Sequence, residues 1–202
     1  MRPVTPQDAG FRRLWPDDRR AFLDHLKRLD PASRNDRFGG AVSDALLECY
    51  AENSFHVDDI VYGGFVDGVL RAAGELRAIN ANFASDEPGT AEAALSVETP
   101  FRRRGFGGAL LTRIMRAAAN RSVNRVQVFC LAQNTAMQAL ARKFETGLRL
   151  EYDMVAGDLI TLAPTPMSLW REAADNAMGG LSAIADWQKR FYTPAMRSKP
   201  GG

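Results

Sequence analysis

Histidine and cysteine are scarce, with two of each in 202 residues. Cys49 and Cys130 are too few for a disulfide framework. With His25 and His56 they show no ligand spacing, so no zinc site or other resident metal is expected. An excess of one charge is also lacking. Twenty-six Lys+Arg stand against 24 Asp+Glu, a net +2, too little to attract nucleic acid by bulk electrostatics. No apolar run approaches the roughly 18 residues of a membrane span. The opening Met1-Arg2-Pro3-Val4-Thr5-Pro6 carries no apolar stretch of a secretory signal, so a cytoplasmic location is expected. No internal repeat is found. What is present is an ordinary globular mix of 46% hydrophobic, 25% charged and 9% aromatic residues. That mix excludes disorder and coiled coil as the main state. The length suits one domain with an appendage, or two small domains at most.

Hydrophobic periodicity divides the chain. Residues 1–10 read as a flexible, polar lead-in. Phe11-Arg12-Arg13-Leu14 predicts a short strand. Helical spacing at Phe22, Leu23, Leu26 and Leu29 follows a start near Asp17 or Asp18 and is stopped by Pro31. A second helix is predicted over 43–52. The period then changes. Strands over 60–66 and 69–79 meet at Asp67-Gly68, a hairpin signal, with Gly74 a candidate bulge. A loop over 80–90 leads to a strand over 91–97. A helix with Leu110, Leu111, Ile114, Met115 and Ala118 on one face comes next. It is followed by a buried strand over 126–131, a helix carrying Met137, Leu140, Ala141 and Phe144, and a closing hairpin around Gly157-Asp158. Pro164 and Pro166 mark a boundary. Beyond it, Trp170, Ala173, Ala174 and Ala177 begin a helical stripe that would bury against the domain or against a second copy in a homodimer. The expected organisation is a mixed α/β domain over 11–163 and a C-terminal helical extension over 164–202.

The informative chemistry lies at Arg102-Arg103-Arg104-Gly105-Phe106-Gly107-Gly108, between a predicted strand and a helix start. Glycines let backbone N–H groups approach a ligand, and a helix N-terminus favours negative charge. A pyrophosphate is the natural occupant. Two better-known phosphate loops fail here. Gly-Lys-Ser/Thr is absent. Gly105-x-Gly107 lacks the third glycine of the dinucleotide fingerprint, since Leu110 stands there, and the strand ending at Leu131 closes without an acid.

This arrangement resembles the GNAT N-acetyltransferase superfamily. In that superfamily, Arg/Gln-x-x-Gly-x-Gly/Ala holds the acetyl-CoA pyrophosphate. The Asn134-Thr135-Ala136-Met137-x-x-Leu140 segment is similar to the family's Asn-x-x-Ala/Met-x-x-Leu helix, which lies along the pantetheine arm. Two further segments resemble GNAT domains of bacterial Pat-type protein lysine acetyltransferases: Leu29 to Phe38, and Ala91-Glu92-Ala93-Ala94. The resemblance covers about 11 to 162.

The resemblance implies a mostly antiparallel sheet of six to seven strands flanked by about four helices. It implies acetyl-CoA as co-substrate, no metal, and direct transfer to a primary amine of a protein lysine. A small-molecule amine is the other acceptor class, and a catalytically silent acyl-CoA-binding module is the reading from a different class. Glu92 is the candidate general base, in surroundings of a kind that raises a carboxylate's pKa, and Glu75 is the second choice. The main chain of Leu95, Ser96 and Val97 would meet pantetheine, and a backbone N–H near Ser96 or Val97 would polarise the thioester. Asn134 and Met137 would flank the same arm. One departure stands out. Many members carry a tyrosine seven residues after the helix-start asparagine, to protonate the leaving thiolate, and this chain has Ala141 there.

Overall fold

A computed structural model describes residues 4–79, 89–144, 147–151 and 153–177. The extended segments assemble into one seven-stranded sheet in the order β1-β2-β3-β4-β5-β7-β6. The strands are β1 (Gly10–Leu14), β2 (Ile60–Val66), β3 (Val69–Ala78), β4 (Gly89–Val97), β5 (Val123–Leu131), β6 (Leu148–Glu151) and β7 (Met154–Ile160). All neighbours are antiparallel except β4 and β5. That one parallel pair needs a crossover, which α4 (Phe106–Ala119) supplies. The class is the expected one, mixed and mostly antiparallel.

Strand alternation sorts side chains onto two faces. Ile60, Tyr62, Ala91, Ala93, Val126 and Val128 turn towards α4 and join Phe106, Leu110, Leu111 and Ile114 in the larger core. The 110, 111, 114 spacing is why α4 buries one stripe, each such side chain contributing roughly 2–3 kcal/mol. Val61, Leu70 and Ala73 turn the other way and meet α1 (Arg19–Arg28) and α3 (Asp44–Glu52) through Phe22, Leu26, Leu47 and Ala51. Residues 4–9, read in the sequence as lead-in, include a 3-10 turn at Pro6–Asp8, and Val4 and Ala9 pack on the larger core.

Four details differ from the sequence reading. Pro31 ends α1 but also starts α2 (Pro31–Phe38), as its first residue, with Asp30 capping by accepting from Ser33 N at 2.9 Å. This helix was missed because it has no apolar stripe. Gly74 is not a bulge. A Cβ there would come within 2.9 Å of Ile114 Cδ1 and Leu95 Cδ2, so the glycine admits α4 against the sheet; the irregularity in this hairpin lies at Gly64/Phe65. Gly157-Asp158 is not a turn but lies inside β7, opposite Val128 and Gln127; the chain reverses between Glu151 and Met154. Finally, residues 166–177 form a helix, α6, whose inner face is polar. Glu172 accepts from Asn120 and Arg121, and Asp175 pairs with Arg116, while Trp170 on the expected apolar stripe is exposed. The stripe beyond residue 177 lies outside the described residues.

Candidate active site

The β4–β5 ladder stops early. Its last pair is Ala93↔Val128, yet β4 runs on beside β3 to Val97↔Ala72, and β5 beside β7 to Leu131↔Met154. The two central strands therefore part, and a cleft of about 1170 Å³ opens between them. Residues 94–97 and 129–131 face it without a strand partner across the gap. The sequence carries no signal for this parting.

One end of the cleft is built for an anion. Gly105 caps α4 at φ +94°, a conformation that favours glycine, and no side chain closes this helix end. The first internal bond of α4 runs from Ala109 N to Gly105 O, so the N–H groups before it have no helical partner. Gly107 and Gly108 line the cleft, and a Cβ on Gly107 would stand 3.3 Å from Leu140 Cδ2. Arg103, Arg142 and Lys143 bring positive charge to the same wall. Arg103 holds φ +56°, a left-handed conformation that costs a non-glycine residue about 1 kcal/mol or more. Arg102 also lines the cleft, but its guanidinium is engaged, donating to Val97 O at 3.1 Å and to Ser33 Oγ at 2.7 Å. Arg104 and Phe106 do not line the cleft. The Phe106 ring is buried against Phe11 and Phe101, because the first apolar position of α4 belongs to the core.

Along the walls, Leu95, Ser96 and Val97 come from β4, and Asn134 and Met137 from α5 (Thr135–Ala141). Asn134 caps α5, its Oδ1 accepting from Met137 N at 3.0 Å, as its position at a helix start implied. Cys130 is buried on the β5 wall, where burial first and Asp36 second push its thiol pKa up. Such a thiol is a poor nucleophile. Ala141 is buried in the core and lines no part of the cleft.

The two acidic candidates separate. Glu92 lines the cleft, and no described side chain ion-pairs or hydrogen-bonds with it. Glu75 does not line it. Its carboxylate receives Arg37 Nη2 at 2.6 Å, Tyr50 Oη at 2.7 Å and Arg77 Nη2 at 3.1 Å. Burial opposes its charge, and the two guanidiniums and the phenol overcome that, holding the carboxyl below the usual range. Such an acid ties β3 to α2 and α3 and is not free to take a proton from a substrate.

Sequence reading missed much of the cleft wall that α2 supplies. Ser33, Asp36 and Phe38 of α2 line it. On the α1 side of β4 sits a second buried group. His25 lies between Ser96 Oγ at 2.9 Å and Glu98 Oε1 at 3.3 Å, and Glu98 also receives Arg28 Nε at 2.8 Å and Arg71 Nη1 at 2.9 Å. His25 stands three residues after Phe22 and four before Leu29, within the buried stripe of α1. That placement was the available signal that it faces inward.

Several solved structures share this fold. The GNAT domain of Streptomyces lividans PAT superposes at a TM-score of 0.64 with 20% identity, over 74% of this chain and 89% of that one. A ribosomal-protein-alanine N-acetyltransferase from Brucella melitensis gives 0.57 at 17% identity, over 74% and 98%. A PaiA N-acetyltransferase from Thermoplasma acidophilum, in complex with coenzyme A, gives 0.56 at 15% identity, over 75% and 98%. At such identities the likeness speaks to fold alone. No protein of curated function matches the chain in sequence. The sequence pattern of the acetyltransferase (GNAT) family, however, matches residues 12–145. This stretch holds the parted strands, the glycine loop and the capped α5, and by it the chain belongs to the acetyltransferase (GNAT) family.

Proposed function

We propose that the protein transfers an acetyl group from acetyl-CoA directly to a primary amine, that of a protein lysine, with Glu92 as general base. The observation that carries this is the polarity of one cleft. Unpaired helix N–H groups with Arg103, Arg142 and Lys143 stand at the α4–α5 end, and the carboxylates of Glu92 and Asp36 stand on the β4–α2 side. The first end suits the phosphates of CoA; the second suits an ammonium or amine. The residues present therefore fit acetyl-CoA, with its pyrophosphate at residues 103–108 and pantetheine along 95–97, Asn134 and Met137.

Chemistry then needs little from the protein beyond placement. An alkylammonium first gives one proton to solvent through Glu92. The amine nitrogen bonds to the thioester carbon, the carbon–sulfur bond breaks, and CoA departs with the electron pair as thiolate. The second nitrogen proton passes to Glu92. Four residues of extended strand, about 13 Å, separate Glu92 from Ser96, so this proton travels through bridging water. A main-chain N–H near Ser96 or Val97 steadies the oxyanion. A thiolate leaves without an acid, which accommodates Ala141.

A buried Ala141 with no proton to give also favours a second reading, an acyl-CoA-binding module without turnover. Calorimetry with acetyl-CoA, with Gly107→Glu as control, separates these when run beside thiol release on lysine peptides and on small amines. Binding abolished by Gly107→Glu together with thiol release on peptides supports the proposal. Release on small amines alone changes the acceptor class. Binding without any release supports the module, and no binding refutes both.

A further inference from the structure

We infer that Ser96 is the docking point for the attacking amine: its hydroxyl oxygen, held by His25, can only accept a hydrogen bond and so takes an N–H of the acceptor. This rests on the acetyltransferase reading above and names a contact within that site.

The argument is one of donors and acceptors. Glu98 is buried, and burial opposes its charge. The bonds from His25, Arg28 and Arg71 outweigh that and keep it ionised. A carboxylate only accepts, so His25 Nδ1 carries a proton. His25 is fully buried, and burial holds its pKa below 6.5 against the pull of Glu98. The ring is therefore neutral near pH 7, with Nδ1 protonated and Nε2 bare. Nε2 stands 2.9 Å from Ser96 Oγ, so the Ser96 hydroxyl is the donor in that bond. Its only proton is committed, and its lone pairs remain.

Ser96 lines the cleft on the part of β4 that has left β5, and among the described residues its side chain has no partner besides His25. A carbonyl, carboxylate or thiolate brought to this oxygen meets lone pairs; an amine brings the N–H it needs. The trio has the outline of a Ser–His–acid triad, but the electrostatics oppose a nucleophilic serine. Taking the Ser96 proton would make an imidazolium in a dry site beside Arg28, which shares Glu98 Oε1 with it. His25 and Glu98 thus act as positioning residues. Ser96 orients the nitrogen, and Glu92, on the same strand face, receives the proton through water.

The test begins with nitrogen NMR of the histidine side chains in the full chain. For His25 at neutral pH the expected signature is a protonated Nδ1 and a bare Nε2. Steady-state kinetics with a lysine peptide follow. Ser96→Ala is expected to raise the KM for the peptide about tenfold while leaving the acetyl-CoA Kd unchanged, and Ser96→Thr, which keeps the hydroxyl, to restore it. A ring protonated on Nε2 or on both nitrogens, or a Ser96→Ala variant with the wild-type KM for the peptide, overturns the inference. So does an acetyl group found on Ser96 by mass spectrometry after incubation with acetyl-CoA. If the wild type binds no acetyl-CoA, the acetyltransferase reading itself fails, whatever the tautomer, and the docking role falls with it.

Discussion

Arg102 Nη2 donates to Ser33 Oγ at 2.7 Å, and this bond ties the glycine loop to α2. Ser33 is itself held by Asp30, which also accepts from Thr99, and these bonds hold the Asp30 carboxyl well below the usual range. The arginine that opens the glycine loop therefore braces it as much as it charges it. Arg102→Ala should weaken acetyl-CoA binding about fivefold to tenfold and cost roughly 1 kcal/mol of stability. Arg102→Lys should recover little, since an ammonium lacks the fork that spans Val97 O and Ser33 Oγ. Arg104→Ala should leave binding within error. Calorimetry on the three variants checks this.

Gly74 is where α4 meets the sheet. A Cβ there would lie 2.9 Å from two side-chain methyl groups and 3.2 Å from Leu110 Cβ, which cannot swing away. Gly74→Ala should cost about 1 kcal/mol and Gly74→Val about 3 kcal/mol, as overpacked core sites do. Urea unfolding should show lower midpoints at unchanged slope.

Glu92→Gln should lower kcat by about 10²–10⁴-fold, the usual worth of a general base, with the acetyl-CoA Kd unchanged. Raising pH should recover part of the loss, because solvent then deprotonates the amine. Glu75→Gln should instead act on stability. It leaves Arg37 and Arg77 short of a buried counter-charge, at a cost of about 3–5 kcal/mol. Rate assays and melting temperatures on the pair separate the two roles.

His25 gives a pH signature in stability. Its ordinary pKa is 6.5, and burial lowers it in the folded chain, with Arg28 lowering it further and Glu98 opposing. Between the folded and unfolded values the unfolded chain binds more protons, so stability must fall as pH drops below about 6.5. Melting temperature should decline from pH 7 to 5, and His25→Gln should flatten that decline. An unchanged slope in the variant would place the acid sensitivity elsewhere.

Much of this was written in local sequence. The 110–111–114 stripe of α4, the Asp67-Gly68 hairpin and the Asn134 cap rest on periodicity and on bonds between near neighbours. The glycine loop was legible because its chemistry lies in consecutive residues. Three features were not. The parting of β4 from β5 depends on which strands stop pairing, and backbone hydrogen bonds to a distant strand leave no mark in side-chain pattern. Glu75 and Glu92 look alike in sequence. Only the fold sets Arg37, from 38 residues away, against one of them and leaves the other in the cleft. The His25–Ser96 bond joins residues 71 positions apart. The sequence by itself determined most of the elements, though not α2 or the closing turn, and the glycine-rich start of α4, because helix periodicity, capping and turn chemistry act over a few residues. Tertiary structure decided which carboxylate is free, which serine is locked and where the cleft opens, because charge pairing and desolvation act across space between segments the chain order does not connect.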